Sequence, residues 1–265
     1  MRGQLSDASL ERIERSLPRP SSLSRIGQLV PESVALHFDP DSGMGEALVC
    51  LRDAADFFKE ASLALHECKA AIEWYGVQLD PPDQRAAILV GRFYADDVAL
   101  RLYSAAEHLA AFLQSYLGIP ETDLEPYSKA RTSRASKLGT YLIQEMPQHD
   151  ATEAVKKFIG NEDCKFVLDY RNKWVHEQRP RIAGLGMGWE RGKRWKSVGT
   201  SRVLSFGMGD EAVVEVDELV SRVAGGLEAL ARLLDDLFAL FWASIKDLVE
   251  IRETEHGFEI LHPLR

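Results

Sequence analysis

Apolar residues recur at spacings of three and four over three long stretches of this chain. Leu48, Leu51, Ala55, Phe58, Leu65, Cys68 and Ile72 form the first stripe, and the spacing predicts a helix over residues 45–75. Asp-Pro-Pro-Asp at 80–83 breaks it. Proline is tolerated in the first turn of the next helix, where its missing N–H would be unpaired anyway. Val98, Leu102, Ala105, Leu109 and Phe112 mark that second helix, over 84–117, which Gly118 and Pro120 stop. Val220, Val223, Leu227, Leu230, Leu234, Leu237, Leu240 and Phe241 predict a third, over 217–251.

Weaker signals fill the gaps. A short helix is expected over 8–17, ended by "SLPRPSS", and two more over 138–146 and 151–159. Asn161 is a good N-cap, and Glu162 and Asp163 suit the positive end of the helix dipole, so another helix starts there. It ends before Pro180, because the residue preceding a proline disfavours helical backbone. "RVLSFGMGDEAVVEV" reads as two short strands around Gly207 to Asp210, and the tail from Glu253 as extended. The fold class is therefore all-α. It is an antiparallel helical bundle with extra short helices and a small β-hairpin inserted before the last helix. Residues 1–43 read as an N-terminal extension and 44–265 as the bundle, with the loop and hairpin insertion at 180–216.

Composition narrows this picture. A length of 265 residues, 45% hydrophobic and 28% charged, suits a folded chain with a sizeable core. The first twenty residues lack the apolar run of a signal peptide, and no apolar stretch reaches the ~18 residues of a membrane span. A cytoplasmic protein with no membrane partner is expected. Cys50, Cys68 and Cys164 are too scattered for a disulfide framework or a zinc site. The formal charge is −9, yet Lys165 to Arg202 holds ten Lys or Arg against Asp169, Glu177 and Glu190, a net of +7. "KARTSRASK", from Lys129 to Lys137, adds four cations and no acid. Such patches attract a polyanion, or else they dock on the protein's own acidic helices.

The candidate chemistry lies in "DYRNKWVHEQRPRI", from Asp169 to Ile182. On a helix, Phe166, Val167, Leu168, Tyr170, Trp174 and Val175 share a broad apolar arc, with Asp169, Asn172, Lys173 and His176 opposite. Arg171 falls inside the apolar arc. A guanidinium is costly to bury without an anionic partner. It must pair with a carboxylate, for which Asp96, Asp97 and Glu107 are candidates, or await an external anion. Arg171 and His176 lie about 140° apart on an ideal helix. They converge only if the Arg reaches round, if the helix loosens, or if two copies of the motif face each other. Taken singly, His176 also reads as a solvated histidine near a helix C-terminus. The chain has no His-Glu-x-x-His, no phosphate-binding P-loop and no Gly-x-Ser-x-Gly, and no histidine in the helical stretches follows a Glu by three positions. No metal and no cofactor are expected.

Arg171, Asn172 and His176, as R-N-x3-H near the end of a late bundle helix, resemble the R-x4-H signature of the HEPN superfamily. "YSAAEHLAAFL", from Tyr103 to Leu113, is similar to the A-x-E-x-L helices of that group, and the helical layout corresponds over residues 45–252. The resemblance implies an HEPN-like bundle that dimerises through its motif. It implies a metal-independent endoribonuclease of a toxin–antitoxin or phage-defence system, with RNA as substrate and an antitoxin protein as a further partner. Arg171, Asn172 and His176 would be its catalytic residues. Lys173, Arg179, Arg181, Arg131 and Arg134 would contact RNA, with Arg191, Lys193, Arg194 and Lys196 as further phosphate contacts and Trp189 and Trp195 as stacking residues. The alternative is a non-catalytic HEPN-like module that binds nucleotide or RNA, or serves as a scaffold. Gln178 stands where some members carry a tyrosine used for silencing, which argues against that control here.

Overall fold

The computed structural model describes residues 5–29, 43–77, 81–128, 133–176, 182, 188–189, 194–198, 201–205, 208–209, 214–246, 249–254 and 257–263. Its frame is a helical bundle. The longest elements are α3 (Met44–Val77), α4 (Pro81–Tyr116) and α9 (Val216–Ile245). Shorter helices are α1 (Asp7–Arg15), α2 (Leu23–Gln28), α5 (Glu121–Leu124), α6 (Arg134–Glu145), α7 (Asp150–Gly160) and α8 (Glu162–His176).

The apolar stripes explain the packing. Arg101 meets Glu60, His108 meets Asp53, and the Cys68 thiol donates to the Gly91 carbonyl at 3.1 Å. Partner numbers fall along α3 as they rise along α4, so the two helices run antiparallel. Against this pair lies α9, which also contacts α7 and α8. Phe58, Phe112 and Phe241 from the three long helices are all sealed from solvent, and the Phe112 and Phe241 rings meet edge-on at 6.0 Å. Each such ring contributes about 1.5–3 kcal/mol by leaving water. Gly118 ends α4 at φ 63°, the left-handed backbone that glycine adopts without strain, while the Ile119 amide bonds back to Gln114.

Several elements differ from expectation. Helix α9 stops at Ile245, and Val249–Thr254 instead forms strand β5, antiparallel to β6 (Gly257–Pro263). Among the described residues, the strand pair expected around Gly207 to Asp210 is not seen. Strand β3 (Ser201–Ser205) pairs upstream with β2 (Arg194–Val198), and β4 (Met208–Gly209) pairs with β1 (Gly188–Trp189). The upstream partner was invisible because "GKRWKSV" reads as a basic loop rather than a strand. Helix α2 was not foreseen either. Ile26 and Leu29 at its end are buried in the main core, Ile13 of α1 is also buried, and the Ser21 and Ser22 amides donate to the Asp235 carboxylate of α9 at 3.0 and 2.8 Å. Among the described residues, no helix is long and apolar enough to cross a membrane.

Candidate functional site

Helix α8 carries the motif, and its own sequence fixes where it sits. Asn161 caps it by accepting from the Cys164 amide at 3.0 Å. Cys164, Val167 and Tyr170, three apart, form its buried face. Its first turn is held to α9 by Arg222, which bonds Asp163 at 2.8 Å, and by the Cys164 thiol, which reaches the Gly226 carbonyl at 3.6 Å. Two glycines let α9 approach this closely. A Cβ on Gly225 would lie 2.0 Å from Asp163 Oδ2, and one on Gly226 3.1 Å from Leu102 and Val167. Further along, Tyr170 donates to buried Asp96 of α4 at 2.5 Å. Burial and the adjacent Asp96 charge push the Tyr170 hydroxyl well above its ordinary range.

The next residue, Arg171, departs from the packed face. Its guanidinium lies over the Tyr103 ring of α4, 3.7 Å from the centroid. From there Nη1 donates to Asn172 Oδ1 at 3.0 Å and lies 3.4 Å from His176 Nε2. The side chain thus reaches round the helix and brings the three motif residues together within one protomer. The carboxylates weighed as partners are engaged elsewhere. Asp96 holds Tyr170, and Asp97 accepts from Arg101 at 3.2 Å. Both Glu107 oxygens accept backbone N–H groups at the start of α6, from Arg134 at 3.0 Å and Ala135 at 3.2 Å. Among the described residues Arg171 has no carboxylate partner, and its buried Nε makes no hydrogen bond. Asn172 and His176 are exposed.

The remaining site residues divide. Lys173 is exposed and ion-paired to Asp169 at 2.7 Å, a contact of the kind that contributes little and yields readily to a competing phosphate. Arg134 is exposed at the first position of α6. Arg131, Arg179, Arg181, Arg191 and Lys193 lie outside the described residues. Arg194, Trp195 and Lys196 fall in β2, and Trp189 in β1. On the polar side of α4, Arg101 pairs with Asp97 of its own helix and with Glu60 of α3, and His108 meets Asp53 of α3 at 3.5 Å.

Beside the motif is a cavity of about 370 Å³ between α4, α6, α7, α8 and α9, lined among others by Tyr103, Glu107, Ser136, Leu142, Phe158 and Asn172. Its walls are mainly aliphatic. It joins the start of α6 to the end of α8, so the region around Arg134 and the Arg171 cluster flank one recess. Among the described residues no group of three His, Cys, Asp or Glu side chains is placed to hold a metal ion.

Two contributors were missed in the sequence. Tyr103 appeared only as the start of a helical string, although it supplies the surface on which Arg171 rests. Glu107, four residues on, looked like a partner for Arg171 and instead caps α6. The missing information was the pairing of α4 with α8 in the first case and of α4 with α6 in the second. No protein-family model matches the chain, and no curated protein and no solved structure is significantly similar to it.

Proposed function

We propose that this chain is an HEPN-like bundle acting as a metal-independent endoribonuclease, paired with a second copy through the end of α8, in a toxin or defence setting. The observation that carries the reading is the Arg171 fork. It reaches Asn172 Oδ1 at 3.0 Å and His176 Nε2 at 3.4 Å, with no carboxylate partner among the described residues. A permanently charged planar donor left in this state is suited to a phosphodiester.

RNA supplies its own nucleophile. The ribose 2′-oxygen attacks the adjacent phosphorus, the bond to the 5′-oxygen breaks, and one strand ends in a 2′,3′-cyclic phosphate while the other begins with a 5′-hydroxyl. One proton leaves the 2′-OH and one arrives at the 5′-oxygen, so the step balances without water. In this reading His176 moves a proton, the Arg171 guanidinium offers donors to the phosphoryl oxygens as charge builds there, and Asn172 holds the Arg. Base and acid roles ask for two groups. A second protomer would bring a second imidazole to the same phosphate. Lys173, Arg134 and the other cations of the two basic segments would follow the backbone.

Labelled single-stranded RNA incubated with the pure protein in EDTA tests this. Cleavage to cyclic-phosphate ends is expected, with a loss of at least ~100-fold in both Arg171→Ala and His176→Ala. A DNA strand of the same sequence should stay whole. RNA that is bound and never cut would select the non-catalytic binding module instead.

A further inference from the structure

We propose that Tyr103 is a positioning residue for this site: its ring sets the Arg171 guanidinium where Nη1 engages both Asn172 and His176. The inference rests on reading Arg171, Asn172 and His176 as the functional cluster. It adds a fourth side chain, from a different helix, that never needs to touch substrate.

Geometry supplies the argument. An unconstrained Arg171 at its place on α8 has no reason to bend toward His176, about 140° away around an ideal helix. Here the guanidinium carbon lies 3.7 Å from the Tyr103 ring centroid, while Nη1 lies 3.0 Å from Asn172 Oδ1 and 3.4 Å from His176 Nε2. The ring face attracts the cation without using any of its N–H groups. Nη1 keeps its donors for its neighbours, and Nε remains unbonded among the described residues. A carboxylate at position 103 would hold the Arg as firmly but would neutralise it and occupy its fork. An aromatic ring orients the cation and leaves the charge unspent. Tyr103 is itself half-buried beside the cavity that Asn172 also lines.

A second consequence follows for His176. A guanidinium has donors only. Its contact to Nε2 is a hydrogen bond only when that nitrogen accepts, which puts the ring proton on Nδ1. Tyr103 therefore selects the His176 tautomer through Arg171, and this effect is observable without RNA.

The test uses full-length protein with 15N-labelled histidine, His176 being assigned with His176→Gln, and compares wild type with Tyr103→Phe and Tyr103→Leu. Wild type and Tyr103→Phe should show His176 mainly with its proton on Nδ1. Tyr103→Leu should move it toward the Nε2–H form that a freely solvated imidazole prefers. In the RNA assay, kcat should fall about tenfold in Tyr103→Leu with KM changed far less, and Tyr103→Phe should restore it. Should Tyr103→Leu fail to fold, Tyr103→Met keeps the bulk without the ring and should behave as described for Leu. An unchanged His176 spectrum in the folded ring-less variant overturns the proposal. So does a Tyr103→Phe that behaves like Tyr103→Leu, since the hydroxyl rather than the ring would then matter. If wild type cuts no RNA, the nuclease reading falls, while the tautomer comparison still decides the role of Tyr103.

Discussion

Tyr170 and Arg171 are neighbours with opposite environments, and the contrast yields two predictions about single groups. Tyr170 delivers its hydroxyl to a carboxylate that is itself only 3% exposed. Tyr170→Phe keeps the ring and removes that bond to a charged, buried acceptor. The expected cost is about 1.5–3 kcal/mol, read as a lower urea midpoint with an unchanged slope. The second prediction concerns alkaline pH. Burial pushes the Cys68 and Cys164 thiols from an ordinary 9.0 up to about 12, and Tyr170 is shifted upward as well. A group whose folded value is raised gives stability that is complete below the unfolded value and lost as pH climbs through the folded one. The urea midpoint should therefore fall steadily from about pH 9 toward pH 12, and Cys68→Ala with Cys164→Ala should flatten the thiol part of that fall. At this scale the sequence was informative about which residue is anomalous. Arg171 stands out because charge does not belong in an apolar arc. What it could not provide was the neighbour, since Tyr103 is 68 positions earlier and nothing local distinguishes it from Tyr94 or Tyr116.

Between elements, the strongest lever is the reach of α4 to the start of α6. Glu107 closes two amides that would otherwise be unpaired in the first turn, and Ser133 closes a third by accepting from the Ser136 amide at 3.2 Å. Glu107→Ala should cost about 1–2 kcal/mol. It should also speed hydrogen exchange at the amides of residues 134–135 well before those of α9, since only the first turn loses its partner. The α8–α9 contact is sensitive in another way. Gly225→Ala puts a methyl where Asp163 now sits, so the Asp163–Arg222 pair must open, and a net loss of about 1–2 kcal/mol is expected in the same unfolding measurement. Long elements were legible because many residues vote for one period, as in α3, α4 and α9. Short ones were not. Ile26 and Leu29 are too few to define a stripe for α2. Beyond Ile245 the helical pattern continues weakly, but β-branched Val249 and Ile251 sit two apart and find an antiparallel partner in β6. Pairing with a segment downstream is a tertiary choice that a local reading of periodicity does not weigh.

Across the whole molecule, the proposed pairing makes the sharpest claim. Val175 is 46% exposed, one residue before His176 and four after Arg171, on the arc that otherwise faces the core. A large apolar side chain next to the exposed His176 imidazole is poorly placed for a monomer and well placed for a two-fold contact, in which each copy repeats the same patch. Light scattering on the purified protein should give twice 29.7 kDa. Val175→Lys places a charge opposite its own copy across the axis and offers Arg171 no carboxylate, so this variant should run as a monomer of 29.7 kDa. Its Arg171, Asn172 and His176 would be untouched, yet RNA cleavage should drop with dimer content. Electrostatics separates this from a loss of RNA binding. With roughly four cations on phosphates, the binding constant should fall with salt at a logarithmic slope of about −3. The slope per protomer should be as steep in the variant or steeper by about one, because the lysine adds a cation and removes none. A wild-type monomer that cuts RNA at full rate would show that one imidazole suffices, and the search for the second proton carrier would then turn to the cations and hydroxyls around the recess shared by α6 and α8.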